Sequence, residues 1–537
     1  MSLARQRCAQ QAAQREGIIM TSRFRIVLGA ALLVAAVTSF GPLASAEDQD
    51  DAKHPFVTNK TPPNSPSAFE CTAAGNPAAD MNMDCDDPFP NNEPNVAVDP
   101  DDPQHMVASS NDYGSCCDQY YTSFDGGTTW QTGNMSTRGP NVVGSDPITV
   151  FDPKHDTVVH LSLNFKLSSG IPATNGDVVA SVSTDGGLTW KVPTVIGHGL
   201  GAHLFMDKED ATVDTDPSSP HYGRIYVTWT GFFGSSKRTL SSPIMLASSD
   251  DGGTTWSTPK VISGSNPTYC TFQTSGPAGE CDEDQASAPR VAPGGDLYVA
   301  FMNSQNTAAW EPGEQFENQY LIVKSTDGGN TFSAPHHIVN LEDGDRDYPL
   351  NVDGRQTLTG LQVRVWGAGT LAIDPTSARL YLSYSDNSLG VHDVANPVTR
   401  SEVFVVSSSN GVTWSAPSLV DPDANESWFP WIDVAPDGTV GLIYNDRRPG
   451  NTYVAELAEG APGSFTTTVV SQAASHPDDS AFFKAGIPAC PDCATFHGDY
   501  LGLDYGNDNV ANLAWTDMRD QSPDFDGFQQ FVYFARR

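Results

Sequence analysis

Short runs in which apolar and polar residues alternate follow one another from about residue 94 to the end of the chain. Examples are "HMVASSND" (105–112), "VVHLSLNF" (158–165), "RIYVTWTG" (224–231), "DLYVAFMN" (296–303) and "RLYLSYSD" (379–386). A period of two, enriched in β-branched and aromatic residues and bounded by Gly, Asp and Pro, predicts strands. No stretch keeps a helical period over several turns, so the pattern predicts an all-β protein.

The runs recur in a fixed order. A first strand ends in Asp-Pro ("PNVAVDP", 94–100; "DPITVFDP", 146–153; "EDATVDTDP", 209–217; "GTLAIDP", 369–375), and the alternating strands quoted above come second. A third strand leads into a glycine turn and a fourth leaves it. Seven such units fit between Pro94 and Arg537, the last two as "WIDVAPDGTVGLIYNDRR" (431–448) and "YLGLDYGNDNVANLAWTDMR" (500–519) with their continuations. Serial four-stranded antiparallel units predict a β-propeller of four-stranded blades, seven favoured and six the alternative. The seventh unit supplies only three strands, so residues 55–90 are expected to donate the fourth and leave no open edge.

The glycine turn is written five times: "TSFDGGTTW" (122–130), "STDGGLTW" (183–190), "SSDDGGTTW" (248–256), "STDGGNTF" (325–332) and "SSSNGVTW" (407–414). The Asp carboxylate can accept from backbone N–H groups of its own loop, the glycines supply positive φ, and the aromatic is expected to pack into the blade core. This phrase resembles the Asp-box (BNR repeat) of the sialidase (neuraminidase) superfamily. The resemblance covers residues 90–537. It implies a propeller and an exo-α-sialidase-like glycoside hydrolase, with polysaccharide lyases and non-catalytic propellers carrying the same turn. The Phe/Tyr-Arg-Ile-Pro motif of sialidases has no counterpart here, and no arginine occurs in residues 92–121.

The segment before the repeat reads as an address. Basic "TSRFR" (21–25), apolar "IVLGAALLVAAV" (26–37) and small "ASA" (44–46) form the three parts of a secretory signal, with cleavage expected after Ala46. The organisation is therefore 1–46 N-terminal extension and signal peptide, 47–93 N-terminal segment with the closing strand, and 94–537 propeller. A secreted monomer without a membrane span after cleavage is expected. Eight cysteines follow Cys8 in close pairs, which reads as a disulfide set; local bridges 71–85 and 270–281 are favoured, and "CPDC" (490–493) reads as a loop staple. The formal charge of −36, from 29 basic and 65 acidic residues, excludes a phosphate backbone as partner. An extracellular glycan or polysaccharide is the expected partner.

Candidate chemistry falls on the face opposite the Asp-boxes, where loops are long and varied. The second strands end there, at Asp112, Phe165, Gly231, Asn303, Asp386, Asp446 and Asp517. Asp446 and Asp517 are candidate catalytic carboxylates. "FHGDYLGLDY" (496–505) adds His497, Asp499 and Tyr500, residue types suited to acid–base work in hydrolysis or β-elimination. "DKED" (207–210) similarly adds Glu209 and Asp210. Arg447, Arg448, Arg519, Arg346 and Arg355 are candidate substrate-binding residues, since arginine pairs bidentately with carboxylates, with Arg364 on the same link. Asp343, Asp345 and Asp347 alternate like the start of a calcium loop, though the glycine and glutamate that complete one are absent. No cofactor is required for this chemistry; calcium is the one candidate. The leading reading is a sialidase-like glycoside hydrolase; the alternatives are a polysaccharide lyase and a glycan- or protein-binding propeller.

Overall fold

The alternating runs fold as strands that hydrogen-bond in sequence order and gather into seven antiparallel sheets around an axis. In the computed structural model the described residues are 71–537, apart from 86, 88, 114–117, 139–141, 169–170, 201–202, 236–237, 273–275, 306–316, 345–346, 351–354, 394, 424, 481–494 and 523–526. The signal segment and the cysteines at 116, 117, 490 and 493 lie outside them. Blade one is Asn91–Val98, Met106–Asp112, Asp118–Ser123 and Thr129–Asn134, innermost to outermost, and the other six repeat that order. Each innermost strand touches those on either side, and that of blade seven touches that of blade one. The fold is a seven-bladed β-propeller, as the repeat predicts. Among the described residues no helix is long and apolar enough to cross a membrane.

The ring closes through the N-terminal segment. Met81–Asn82 pairs with Phe531–Arg536 as the outer strand of blade seven, in register Met81 with Phe534. Thr72–Ala74 adds a fifth strand to blade one. The two expected disulfides, Cys71–Cys85 and Cys270–Cys281, are present and fit an oxidising, extracellular setting.

The Asp-box turns hold themselves with the same bonds. In the first, Asp125 Oδ1 accepts from Thr129 N (2.8 Å), Asp125 Oδ2 from the Thr129 hydroxyl (2.7 Å), and Ser123 Oγ from Gly127 N (2.9 Å). Boxes two to four repeat all three bonds. The aromatics pack into the core as expected, and they also reach the neighbouring blade. Trp130 is fully buried against Phe534 of blade seven, whereas Trp190 of blade two is half-buried against Ala97 and Val107 of blade one. Each ring thus packs on its own blade, Trp130 with Met106 and Tyr121 and Trp190 with Phe151 and Val158, and also bridges to the preceding blade.

The second glycine of the box makes that contact. A Cβ on Gly127 (φ +80°) would lie 2.2 Å from Phe534 Cε1, and one on Gly253 (φ +81°) 2.9 Å from Val159 Cγ2 of the blade before. Gly127→Ala is therefore expected to lower Tm well beyond Gly294→Ala. Gly294 has φ +90° with nothing within 4 Å, so it isolates the conformational part of the penalty. The clash adds about 1–3 kcal/mol; equal melting temperatures for the two variants would refute the interblade role.

A histidine clamps the seam between blades one and two. His105 of blade one places Nδ1 2.9 Å from Asp99 Oδ2 and Nε2 2.8 Å from the carbonyl oxygen of Gly186, in the box of blade two. With acceptors on both nitrogens the imidazolium is favoured. Burial pulls its pKa down, but the Asp99 carboxylate and the carbonyl outweigh it, and the pKa stands above its ordinary value. A raised folded-state pKa contributes stability that is fully present below the unfolded value, about 6.5, and is lost as pH rises through the raised one. The Tm advantage of wild type over His105→Gln should thus shrink between mildly acidic and alkaline pH; a constant gap would show that the ring is not charged.

Candidate functional site

Five of the seven innermost strands meet the same local device. They carry a register shift between Asn92 and Asn95, Ser145 and Ile148, Asp207 and Asp210, Gln285 and Ala288, and Trp428 and Trp431. Within each shift one residue takes positive φ: Glu93 (55°), Asp146 (59°), Lys208 (52°), Ala286 (51°) and Phe429 (54°). In the last blade Gly498 (φ 89°) holds the matching place before Gly502–Tyr505. Five non-glycine residues in the left-handed region, each disfavoured by about 1–3 kcal/mol, mark bulges that re-aim the side chains beside them.

Those side chains line an axial cavity. Its wall includes Lys208, Glu209, Asp210, Ser287, Thr370, Pro430, Trp431, Asp499 and Tyr500, and it opens to solvent at its mouth. Glu209 is 2% exposed, and neither of its carboxylate oxygens has a hydrogen-bond partner. Burial, followed by the charges of Asp146 and Asp118, holds Glu209 well above the usual carboxylate range. Asp207, also buried, is raised for the same reasons, with Asp146 the largest electrostatic contributor. Asp499 Oδ2 accepts from Arg364 Nη2 at 2.9 Å, both side chains being buried. The Tyr500 hydroxyl donates to the Pro147 carbonyl (3.1 Å), and Lys208 Nζ sits 3.4 Å from the centre of its ring.

Of the residues expected from sequence, Asp499 and Tyr500 reach this cavity, and Glu209 and Asp210 join them. His497 does not. It lies 2% exposed among Trp428, Phe429 and Tyr453, and its Nε2 accepts from Trp428 Nε1 (3.1 Å). Burial lowers its pKa to about 3, so the ring is neutral, with its proton on Nδ1. Asp446 and Asp517 end second strands, one strand out from the axis. Asp446 is ion-paired with Arg448; Asp517 accepts from Ser475, Trp515 and Arg519. In blade two the residue equivalent to these is Asn164, not Phe165, since Gly144 pairs with Asn164 across the sheet.

The arginines are engaged with the protein's own carboxylates. Arg447 pairs with Glu426, Arg448 with Asp446 and Glu456, and Arg519 with Asp80 (2.7 Å) and Asp517 (2.5 Å). Arg290 pairs with Asp210 at 2.9 Å. Arg355 is buried, and Arg346 and Asp345 lie outside the described residues. Both oxygens of Asp343 accept from Asn318, at 2.7 Å each, while Asp347 faces His392.

Lys208 and Trp431 escaped the reading of the sequence. The signal was available in the alignment of "DPI", "KED" and "FPW" (146–148, 208–210, 429–431) across the bulges, but strand periodicity alone does not show which residue a bulge turns inward.

No family model and no curated protein matches the chain. Solved structures similar to it include a Dyadobacter fermentans protein of unknown function, with 14% identity over 74% of this chain and 96% of that one and a TM-score of 0.44. A polysaccharide lyase described as an ulvan lyase shows 11% identity over 88% and 98%, TM-score 0.44. A Hadza microbial sialidase shows 13% identity over 80% and 73%, TM-score 0.40. At these identities and TM-scores the likeness carries neither a residue role nor an activity across to this chain.

Proposed function

We infer that the chain is a glycoside hydrolase working at the axial cavity on a sugar that bears no negative charge, with Glu209 as the proton donor. The observation that carries this is Glu209 itself: a buried carboxyl with both oxygens unsatisfied, opening on a cavity that also holds a second, differently poised carboxylate. Burial and the nearby carboxylates hold Glu209 well above the usual carboxylate range, the direction a general acid requires. Arg364 favours the ionised form of Asp499. A buried carboxyl and an ion-paired carboxylate on one cavity are the residue types that glycoside hydrolysis uses. In the proposed step Glu209 protonates the leaving glycosidic oxygen, water adds its hydroxyl to the anomeric carbon, and Asp499 takes up the water's remaining proton before it returns to Glu209. Trp431 gives the cavity wall an apolar ring beside these carboxyls.

The charge pattern argues against an anionic substrate. Sialate or uronate recognition needs cationic donors; Arg290, Arg364, Arg447, Arg448 and Arg519 are each matched to an internal carboxylate, and Lys208 on the cavity wall is stacked on the Tyr500 ring. A lyase would further need a histidine or tyrosine able to exchange a proton; His497 is buried, and Tyr500 is tied to a carbonyl and held above its ordinary value by burial. The test is a panel of uncharged aryl glycosides beside sialosides and polyuronates, read by aglycone release and by ultraviolet absorbance of unsaturated products. Release from an uncharged glycoside supports the reading. Turnover confined to sialosides, or unsaturated products alone, would overturn it.

A further inference from the structure

The geometry points to a divalent-metal site of the zinc class on the loop face, formed by Glu342, Asp347 and His392. Each residue offers one ligand atom, and the three atoms lie within 4.8 Å of one another. His392 Nδ1 is 3.1 Å from Asp347 Oδ1 and 4.0 Å from Glu342 Oε2. A tetrahedral centre with bonds of about 2.0–2.2 Å sets neighbouring ligand atoms roughly 3.3–3.6 Å apart, and the two measured spacings bracket that range.

The histidine is oriented for the task. Its Nε2 lies 3.0 Å from the carbonyl oxygen of Asn387, which can only accept, so Nε2 carries a proton. A neutral ring then turns the Nδ1 lone pair toward two carboxylates. That lone pair and the two carboxylate oxygens are the donor types that a divalent metal ion accepts. Metal-binding histidines characteristically give their other N–H to a carbonyl or carboxylate in this way.

The Asp347 carboxylate and the backbone that carries both acids are held in place. Asp347 Oδ2 accepts from Gly344 N (2.6 Å), the Asp347 carbonyl accepts from Asn387 Nδ2 (2.5 Å), and Asp386 Oδ1 accepts from Glu342 N (2.7 Å). Asp347 is fully buried, while the side chains of Glu342 and His392 are 29% and 20% exposed. The open side leaves room for a water as fourth ligand, the plan of a zinc site that does chemistry. A nitrogen donor disfavours calcium, which takes oxygen ligands. The expectation of calcium over Asp343–Asp347 therefore becomes a nitrogen-accepting ion, with Asp347 retained and His392 added.

The experiment titrates the full mature chain, freed of metal by chelator dialysis, with zinc chloride by calorimetry and with cobalt(II) by visible absorption. One zinc equivalent and the intense cobalt band of a tetrahedral site are expected near neutral pH. Glu342→Gln and His392→Gln should each weaken zinc binding tenfold or more. His198→Gln, at an exposed histidine elsewhere, should leave it unchanged. Absence of zinc uptake by wild type, or uptake undiminished in both site variants, would overturn the site and leave a simple His392–Asp347 ion pair. None of the three residues lines the axial cavity, and metal binding is read without a glycan, so this test and that of the hydrolase reading fail independently.

Discussion

A chain that begins at Pro94 is expected to aggregate rather than melt as a cooperative monomer. Removing the preceding residues deletes Met81–Asn82 and exposes the outer edge of Phe531–Arg536, a row of unpaired backbone groups on an apolar strand. Far more than two strand residues is lost. Met81 and Met83 are 6% and 0% exposed in a cluster with Trp130, Val532 and Phe534, and burying a methionine is worth about 1.5–3 kcal/mol. Asp84 accepts from the Tyr121 hydroxyl of blade one and from Val532 N of blade seven (2.6 Å), joining the two ends of the ring. Asp80 pairs with Arg519, and Arg537 donates to the carbonyls of Ala78 and Ala79. The Cys71–Cys85 bridge, 14 residues apart, adds about 3 kcal/mol by loop-closure entropy. Together these rival the whole stability of an ordinary domain, about 5–15 kcal/mol. Met83→Ala is the graded version, with an expected loss of about 2–5 kcal/mol. Thermal and urea melts decide it: full stability and a monomeric elution profile for the shortened chain would show that the ring does not depend on this segment.

The need for that strand was legible from counting alone, because the seventh unit ends one strand short and only the segment before Pro94 could supply it. The blades and their turns were equally legible, since the period of two and the five glycine turns are local signals. What lay beyond the sequence was anything decided across a gap between blades. An aromatic after a turn shows that a ring must be buried but not that Trp190 reaches toward Val107 of another blade. The site was half legible for the same kind of reason. "FHGDYLG" placed His497, Asp499 and Tyr500 at one entrance. Positive φ at Gly498 then splits them, sending Asp499 and Tyr500 to the axis and leaving His497 against Trp428 and Tyr453. The arginines misled because their partners lie across strands: Glu426 at the start of one strand flanking that of Arg447 and Arg448, Glu456 on the other, and Asp80 in the N-terminal segment, far in sequence from Arg519.

Glu209→Gln should reduce kcat on the best uncharged substrate by about 10²–10⁴, the usual range for a general acid, with KM little changed. The amide keeps the shape of the carboxyl and cannot transfer the proton. Stability gives the control. Glu209 is buried without a hydrogen-bond partner and lies near the negative charges of Asp146 and Asp118. Removing its capacity to ionise should therefore leave Tm unchanged or raise it, above all at alkaline pH. The sign follows from linkage: burial raises the folded-state pKa, so the unfolded chain ionises first and pulls against folding as pH rises through the interval between the two values. Wild-type activity should fall with rising pH as Glu209 loses its proton, and the variant's residual activity should lack that limb. Asp499→Asn behaves differently, because it also strips the buried Arg364 of its partner and should lower both rate and stability, by about 3–5 kcal/mol for the broken pair. The decisive comparison is therefore Glu209→Gln against Asp499→Asn in rate and Tm together. A Glu209→Gln protein that keeps the wild-type rate would remove Glu209 from the mechanism. One that loses rate only in proportion to lost stability would make it a packing residue.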